Sequence, residues 1–196
     1  KSLLLDTFRE LFEGNQALFE GLYIHDKWDW TRRFPVVRFN FGDGVITSAQ
    51  KLEQKIREGL ALNRKRLGIK STVKSISGQF SQLIELAHEK YGEPVVILID
   101  EYDKPILDNI LDSGTALAIR EELKNLYSAI KGADAHIRFV FLTGVSKFSK
   151  VNLFSGINNL RDITLSERFS AICGYTDADV DNVFADQLAG LDREQI

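Results

Sequence analysis

The 196-residue chain contains no methionine, a single cysteine (Cys173) and only three prolines. One cysteine cannot form an internal disulfide, which excludes a disulfide-stapled scaffold and indicates a reducing compartment. No apolar run approaches the roughly 20 residues that a membrane-spanning helix needs, so we predict a cytoplasmic location without membrane association. Because a natural chain begins with methionine, its absence at position 1 predicts that this sequence is part of a longer protein.

Positive charge is not in excess either, since 25 Lys and Arg face 28 Asp and Glu, for a net charge of −3. This balance argues against binding nucleic acid by bulk charge and leaves a local basic groove open. Trp28, Trp30, Arg32 and Arg33 could stack on nucleic-acid bases. Such a stretch more often packs its aromatic rings on its own domain, and we favour that interpretation.

Helical and strand patterns alternate along the chain. Apolar residues at helical spacing predict helices that begin near Leu4, Gln50, Ile76, Ile119 and Thr176, the second with capping-box spacing from Thr47. Short apolar or β-branched runs predict strands at residues 35–41, 95–99, 137–142 and 162–165. Strands that alternate with helices imply an α/β fold with a parallel sheet, and the uniformly apolar run at 95–99 indicates a strand covered on both faces.

Two adjacent carboxylates, Asp100 and Glu101, follow this buried strand directly. Functional sites of parallel sheets lie at the carboxyl ends of the strands. The arrangement resembles the Walker B motif of P-loop ATPases, where the first carboxylate helps to hold Mg²⁺ and the next residue orients the water that attacks the γ-phosphate. Acidic residues also follow buried strands simply because the chain reaches solvent there, and the motif alone leaves this alternative open.

The first two residues, Lys1 and Ser2, stand directly before an amphipathic helix. They resemble the end of the phosphate-binding motif G-x-x-x-x-G-K-[ST], where the lysine reaches the β- and γ-phosphates and the hydroxyl ligates Mg²⁺. The N–H groups and positive dipole end of a helix N-terminus favour the same anion. The glycines and the strand that precedes them are not in this sequence, so we expect the chain as given to bind ATP poorly.

Thr143 directly follows the predicted strand at 137–142, which we expect beside the Walker B strand. A polar residue there resembles a sensor that detects the γ-phosphate or the attacking water. A hydroxyl that satisfies a local turn is an equally good interpretation of the sequence.

Together these strings resemble the AAA-ATPase-like domain of bacterial and archaeal P-loop proteins. The most specific strings are DEYDKPI (residues 100–106) and FSGINNLRDIT (residues 154–164), and residues 1–4, 18–22, 142–148 and 173–176 continue the match. The resemblance implies a three-layer P-loop NTPase core of the ASCE type with strand order 5-1-4-3-2. It would occupy residues 1–175, without strand 1 and most of the Walker A loop, and residues 176–196 would begin a following helical segment.

The resemblance also implies roles for individual residues. Lys1 and Ser2 would bind the phosphates of ATP, Ser2 and Asp100 would hold Mg²⁺, and Glu101 and Thr143 would be catalytic.

Four further residues have no settled role. Lys104 either touches a phosphate or pairs with Asp103, and we favour the ion pair. Arg161 and Arg168 are candidates for an arginine finger, although solvated surface arginines are the favoured interpretation.

We therefore expect Mg²⁺-dependent ATP hydrolysis by one module of a larger protein, coupled to conformational change. The expected partner is a C-terminal domain of the same full-length chain, which in many members of the family is nuclease-like, of the PD-(D/E)XK type. A nucleotide-dependent switch or scaffold without hydrolysis, and a regulatory ATPase of a nuclease system, are the alternatives. Oligomerisation and nucleic-acid binding stay open. The chain itself is not expected to be a nuclease, because its Glu-x-Lys pattern at residues 122–124 falls in a predicted helix.

Overall fold

A computed structural model describes residues 1–145, 153 and 160–189 of the chain. The chain divides into two compact units, Lys1–Asn158 and Asn159–Ile196. Residues 146–148 and 154–159 of the family-like strings lie outside the described residues. The expected boundary between residues 175 and 176 stays a prediction.

The first unit is built on a sheet of three parallel strands. These are β1 (Val36–Asn40), β2 (Val95–Asp100) and β3 (Ile137–Leu142), with β2 in the middle. Asn40 pairs with Asp100, and Ile99 pairs with Leu142, so the three carboxyl ends lie at one edge of the sheet. The order β1-β2-β3 agrees with the 4-3-2 part of the predicted strand order, and the described residues contain no further strand.

Five α-helices accompany this sheet in the described part of the first unit: α1 (Ser2–Glu13), α2 (Ala49–Leu67), α3 (Ile76–Tyr91), α4 (Lys104–Leu107) and α5 (Ser113–Gly132). One 3₁₀ turn, Gln16–Phe19, follows α1, and another, Asp134–His136, lies between α5 and β3. The hydroxyl of Ser48 caps α2 by accepting from the N–H of Lys51, so the predicted cap at Thr47 is wrong by one residue. Ser48 is the residue whose extended backbone lets its side chain reach the first turn of the helix.

Helices cover both faces of the sheet. On one face, Leu5 and Phe12 of α1 pack in a buried cluster with Val36, Val96 and Leu98. Side chains alternate between faces along a strand, so Phe39 points the other way. Its ring meets Phe80 of α3 at a centroid distance of 5.2 Å, and Gly59 of α2 lies against it. The prediction that β2 is covered on both faces is confirmed, because all six of its residues are buried.

Side chains of α2 cover the outer edge of β1. Asn63 donates from Nδ2 to the carbonyl of Arg38 (2.7 Å) and accepts from the Arg38 N–H at Oδ1 (2.9 Å). Arg66 donates to the carbonyl of Val36. An uncovered strand edge invites pairing with another chain, and these contacts block that at β1.

The aromatic and basic stretch after α1 packs on its own domain, as we favoured. Trp28 meets Phe12 edge to face at 5.2 Å, and Trp30 lies 5.3 Å from Phe19 while donating from Nε1 to the His25 carbonyl (2.7 Å). Arg32 makes two hydrogen bonds to the carboxylate of Glu93, at 2.9 and 2.6 Å.

The second unit, described from residue 160 to residue 189, contains a 3₁₀ turn (Glu167–Phe169) and two short helices, α6 (Asp177–Val183) and α7 (Ala185–Leu188). Thr176 and Asp179 form a capping box at the start of α6, which confirms the predicted cap. The strand predicted at 162–165 is wrong. The Asp162 carboxylate accepts from the Thr164 N–H (2.9 Å) and forms a local turn, which competes with strand pairing.

Among the described residues, no helix combines the length and apolar character that crossing a bilayer requires.

Candidate functional site

Asp100 and Thr143 meet at the carboxyl edge of the sheet. Parallel pairing of β2 with β3 places the ends of the two strands side by side, and the Thr143 N–H donates to the carbonyl of Ile99 (2.9 Å). The Thr143 hydroxyl donates to Oδ1 of Asp100, and both side chains are buried. The hydroxyl therefore links the ends of two strands through residues that lie 43 positions apart in the sequence. It does not stabilise a local turn, which was the alternative interpretation of Thr143.

Glu101 turns sharply out of the sheet directly after Asp100. Its φ of 51° is the only positive φ of a non-glycine residue among the described residues. This left-handed conformation costs about 1–2 kcal/mol. Thr143 holds the turn from the neighbouring strand: its hydroxyl accepts from the Glu101 N–H (3.3 Å), and its carbonyl accepts from the Tyr102 N–H (2.9 Å).

The carboxylate of Glu101 lies over the loop that follows β1. A methyl group placed on Gly42 would come within 3.0 Å of Oε2 of Glu101 and within 3.0 Å of Oδ1 of Asn40. The same Asn40 oxygen accepts from the Gly42 N–H (2.7 Å), which fixes the loop beside the carboxylate. Glycine at position 42 thus leaves the space that the Glu101 side chain uses.

Lys1 reaches the same edge from the start of α1. Its Nζ donates to the carbonyl of Gly144 at 2.9 Å, one residue after Thr143. Ser2 follows as the first residue of α1 and is exposed. The structure thus brings Lys1, Asp100, Glu101 and Thr143 together at the ends of β2 and β3.

The two residues of the string DEYDKPI that had no settled role point to different partners. Asp103 is fully buried, and its carboxylate accepts from the Val145 N–H at 3.0 Å (Oδ2) and 3.3 Å (Oδ1). Lys104 forms an ion pair with Asp108 (2.8 Å) and donates to the carbonyl of Gly44 (2.7 Å). The favoured pairing of Lys104 with Asp103 is therefore wrong, because α4 begins at Lys104 and places its partner four residues ahead.

Two buried tyrosines, Tyr102 and Tyr127, lie near Asp103. The hydroxyl of Tyr127, on α5, lies 3.5 Å from the carbonyl of Tyr102, and both tyrosines are buried. Burial, with smaller contributions from Tyr102 and Asp103, raises the pKa of the Tyr127 hydroxyl well above its usual value. This hydroxyl consequently stays protonated near neutral pH.

The residues at the edge fit a hydrated magnesium ion better than a cation held by protein alone. Asp100 uses Oδ1 for the Thr143 hydroxyl, and its Oδ2 accepts no hydrogen bond from any described residue. Within the described ranges, no group of three or more His, Cys, Asp or Glu side chains could hold a metal ion. Mg²⁺ usually takes one or two protein oxygens, with water and substrate phosphates completing its shell.

A separate cavity of about 620 Å³ lies between β1 and α2. Its lining includes Arg38, Asn40, Lys55, Glu58 and Asn63, and none of the five predicted site residues lines it. The residues suited to chemistry thus lie at the carboxyl edge of the sheet and not in this cavity.

Comparison with known proteins identifies the family of this chain. The sequence pattern that defines the AAA-ATPase-like family, described as predicted AAA-ATPases, matches residues 1–154. The chain belongs to this family. The matched part of the AAA-ATPase-like chain includes Lys1, Ser2, Asp100, Glu101 and Thr143.

A relative of this AAA-ATPase-like chain occurs in Azotobacter chroococcum mcd 1, where it is described as an uncharacterized protein in the vnfD 5′ region. The two are 59% identical over 196 residues, which is 100% of this chain and 38% of the relative. The chain thus spans well under half the length of the relative. No solved structure matches the chain.

The two arginines considered for a finger role, Arg161 and Arg168, lie outside the matched residues. Within the second unit both side chains are exposed and lie over the ring of Phe169, at 5.8 and 5.6 Å. A finger role and a nuclease-like C-terminal domain both stay predictions.

Proposed function

We propose that the full-length protein binds ATP at the carboxyl edge of this sheet and hydrolyses it with Mg²⁺. The observation that carries the proposal is the position of the Thr143 hydroxyl, which contacts both members of the Walker-B-like pair. It donates to the Asp100 carboxylate and accepts from the Glu101 N–H. Family membership, which is that of predicted AAA-ATPases, supports the same conclusion.

Lys1 and Ser2 would bind the triphosphate. The Lys1 ammonium bonds to the carbonyl of Gly144, the residue after Thr143. Lys1 also stands at the N-terminal end of the twelve-residue helix α1, where unpaired N–H groups and the helix dipole attract anions. Mg²⁺, when bound by Ser2 and Asp100, would balance the charge that develops on the phosphate oxygens.

Glu101 would orient the attacking water. In the reaction an oxygen of water bonds to the γ-phosphorus, the bond to the β–γ bridging oxygen breaks, and ADP and inorganic phosphate leave. The Glu101 backbone makes a left-handed turn, and its carboxylate lies in the space beside Gly42, at the loop that follows β1. Thr143 holds this turn, so a hydroxyl that senses the γ-phosphate would also hold the general base.

The hydrolysis cycle would serve a larger protein. The chain spans 38% of the length of its Azotobacter relative, so other parts of the full-length protein are available to respond to nucleotide. We infer that the nucleotide state is coupled to their conformation, because the site is formed at the junction of three loops that a phosphate group can rearrange.

Nucleotide affinity of the full-length protein tests the first half of this proposal. Replacing Lys1 by Met is expected to weaken ATP binding by at least about tenfold, since a charge-assisted contact to phosphate is lost. The exposed Lys51 of α2 provides the matched control, and Lys51→Met should leave the affinity unchanged. Absence of ATP binding by the wild-type protein, or equal affinities of wild type and Lys1→Met, would overturn the proposal. If the full-length protein binds ATP but does not hydrolyse it, the alternative of a nucleotide-dependent switch without hydrolysis is favoured.

A further inference from the structure

One peptide group connects Lys1 with the buried Asp103. The carbonyl oxygen of Gly144 accepts from Lys1 Nζ at 2.9 Å, and the N–H of Val145 donates to the Asp103 carboxylate at 3.0 Å. These two atoms belong to the same peptide unit, which therefore stands between an ammonium group and a carboxylate.

Packing fixes this peptide unit tightly against Asp103. A methyl group on Gly144 would come within 2.6 Å of Oδ1 of Asp103 and within 2.5 Å of Cε1 of Tyr102. Both of these side chains are buried, and neither is the free end of a flexible chain. Residue 144 is a glycine because the carboxylate and the tyrosine ring occupy the space of its side chain.

Hydrogen bonds at the two ends of a peptide group strengthen each other. A carboxylate that accepts from the N–H increases the negative charge on the carbonyl oxygen, and a cation on that oxygen makes the N–H a better donor. Asp103 thus makes the Gly144 carbonyl a better acceptor for Lys1, although its carboxylate is not among the groups that bond to Lys1.

We propose that Asp103 is a positioning residue that holds Lys1 on the Gly144 carbonyl in the nucleotide-free protein, and that nucleotide phosphates displace Lys1 from it. This inference rests on the proposed function for its second half only. A contact that exists only in the free state lowers the affinity for the ligand that breaks it. Nucleotide binding would also remove a restraint on the loop that follows β3, which links the phosphate site to that loop.

Hydrogen exchange of the nucleotide-free, full-length protein tests the first half. We measure the exchange rate of the amide of Val145 in wild type, Lys1→Met, Asp103→Asn and the double variant. Asp103→Asn should raise the rate about tenfold and Lys1→Met about threefold, because each weakens the bond of this N–H. In the Asp103→Asn background, Lys1→Met should have a clearly smaller effect than in wild type, since the neutral amide of asparagine polarises the peptide group less than the carboxylate does. Additive effects, or no effect of Lys1→Met, would overturn the proposal.

The matched control is Asp112→Asn, which makes the same change at the exposed N-cap of α5. Asparagine caps a helix as well as aspartate does, and the exchange rate of Val145 should not change. If Asp103→Asn does not fold, the Lys1→Met result decides alone, because Lys1 is exposed and its loss leaves the core intact.

Nucleotide binding tests the second half with ATP and AMP as probes. Asp103→Asn should bind ATP about threefold more tightly than wild type, and AMP, which lacks the β- and γ-phosphates, with unchanged affinity. Unchanged or weaker ATP binding by folded Asp103→Asn would overturn the displacement. If the wild-type protein binds no ATP, the proposed function fails, while the exchange cycle still decides whether Asp103 holds Lys1.

Discussion

Thr143, at the end of β3, donates its hydroxyl hydrogen to Oδ1 of Asp100, at the end of β2. Both side chains are buried, so neither can exchange its partner for bulk water without local opening. The same hydroxyl oxygen accepts from the N–H of Glu101, whose backbone adopts a left-handed conformation. One side chain thus bonds to both residues whose carboxylates we assign to the chemistry, to the carboxylate of Asp100 and to the backbone of Glu101.

Replacing Thr143 by Val should disturb stability and turnover together. Valine has the shape of threonine, but it leaves the buried Asp100 carboxylate and the Glu101 N–H without their partner. We expect a loss of about 1–3 kcal/mol in the free energy of unfolding and a fall in ATP turnover of about tenfold or more. Thr143→Ser keeps the hydroxyl and should recover most of both. Chemical denaturation and steady-state hydrolysis measure the two effects, and a fully active Thr143→Val would contradict the assigned link.

Gly144→Ala should destabilise the protein by overpacking. The added methyl group would meet Tyr102 and Asp103 at 2.5–2.6 Å, and the expected cost is about 1–3 kcal/mol. Gly132, the last residue of α5, has no atom within 4 Å of an added methyl group, so Gly132→Ala should be neutral or slightly stabilising. Equal unfolding midpoints for the two alanine variants would show that the space beside Gly144 can relax.

Asn63→Leu should expose the edge of β1. The amide of Asn63 satisfies both the N–H and the carbonyl of Arg38, and Asn63 is 4% exposed. Two backbone groups would lose their partner, at a cost of about 2–4 kcal/mol. The uncovered edge should also promote self-association, visible by size-exclusion chromatography. The same change at the exposed Asn125 of α5 is the control and should shift stability by less than about 0.5 kcal/mol.

The ion pair of Arg32 with Glu93 should contribute to the loss of folding stability at acid pH. Hydrogen bonding to Arg32, helped by its charge and opposed by a smaller effect of burial, lowers the pKa of Glu93 in the folded protein below the usual 4.5. Between the folded and unfolded pKa values the unfolded chain binds more protons, so this contribution is fully present above the unfolded pKa and is lost as the pH falls through the folded one.

Unfolding midpoints from about pH 3 to about pH 7 measure this dependence. Glu93→Gln should flatten the acid limb, and added salt should do the same, because Arg32 is exposed and Glu93 is only partly buried, so that salt screens the pair. Glu85→Gln, on the exposed face of α3, is the control and should leave the limb unchanged. If stability still falls in the same way at acid pH in Glu93→Gln, other carboxylates cause that fall and the attribution to Glu93 is contradicted.

Three of the four predicted strands and the position of the acidic pair follow from local sequence. A run of five apolar residues can be satisfied only by burial, and the first charged residues after it must stand where the strand leaves the core, which places Asp100 and Glu101 correctly. Predictions failed where a short polar side chain decided between local alternatives. Asp162 forms a turn with Thr164 in place of a strand, and Ser48 takes the cap that Thr47 was expected to provide.

Pairings between distant segments could not be read from the sequence. The bond from Asp103 to Val145 spans 42 positions, and that from Asn63 to Arg38 spans 25. No periodicity encodes such contacts, because they depend on how the strands are ordered in the sheet. The one available signal was Gly144, two residues after the end of β3 and next to Thr143, since a glycine at a strand often marks close approach of another group.

The rate of single-turnover ATP hydrolysis by full-length Glu101→Gln, with ATP affinity measured in parallel, tests the central claim most directly. Glutamine keeps the size of the side chain and removes the carboxylate that we assign to the attacking water. We expect the hydrolysis rate to fall by about 100-fold or more, while the ATP affinity stays within about twofold of wild type. A hydrolysis rate equal to that of wild type would contradict the assignment of Glu101 and, with it, the proposed mechanism.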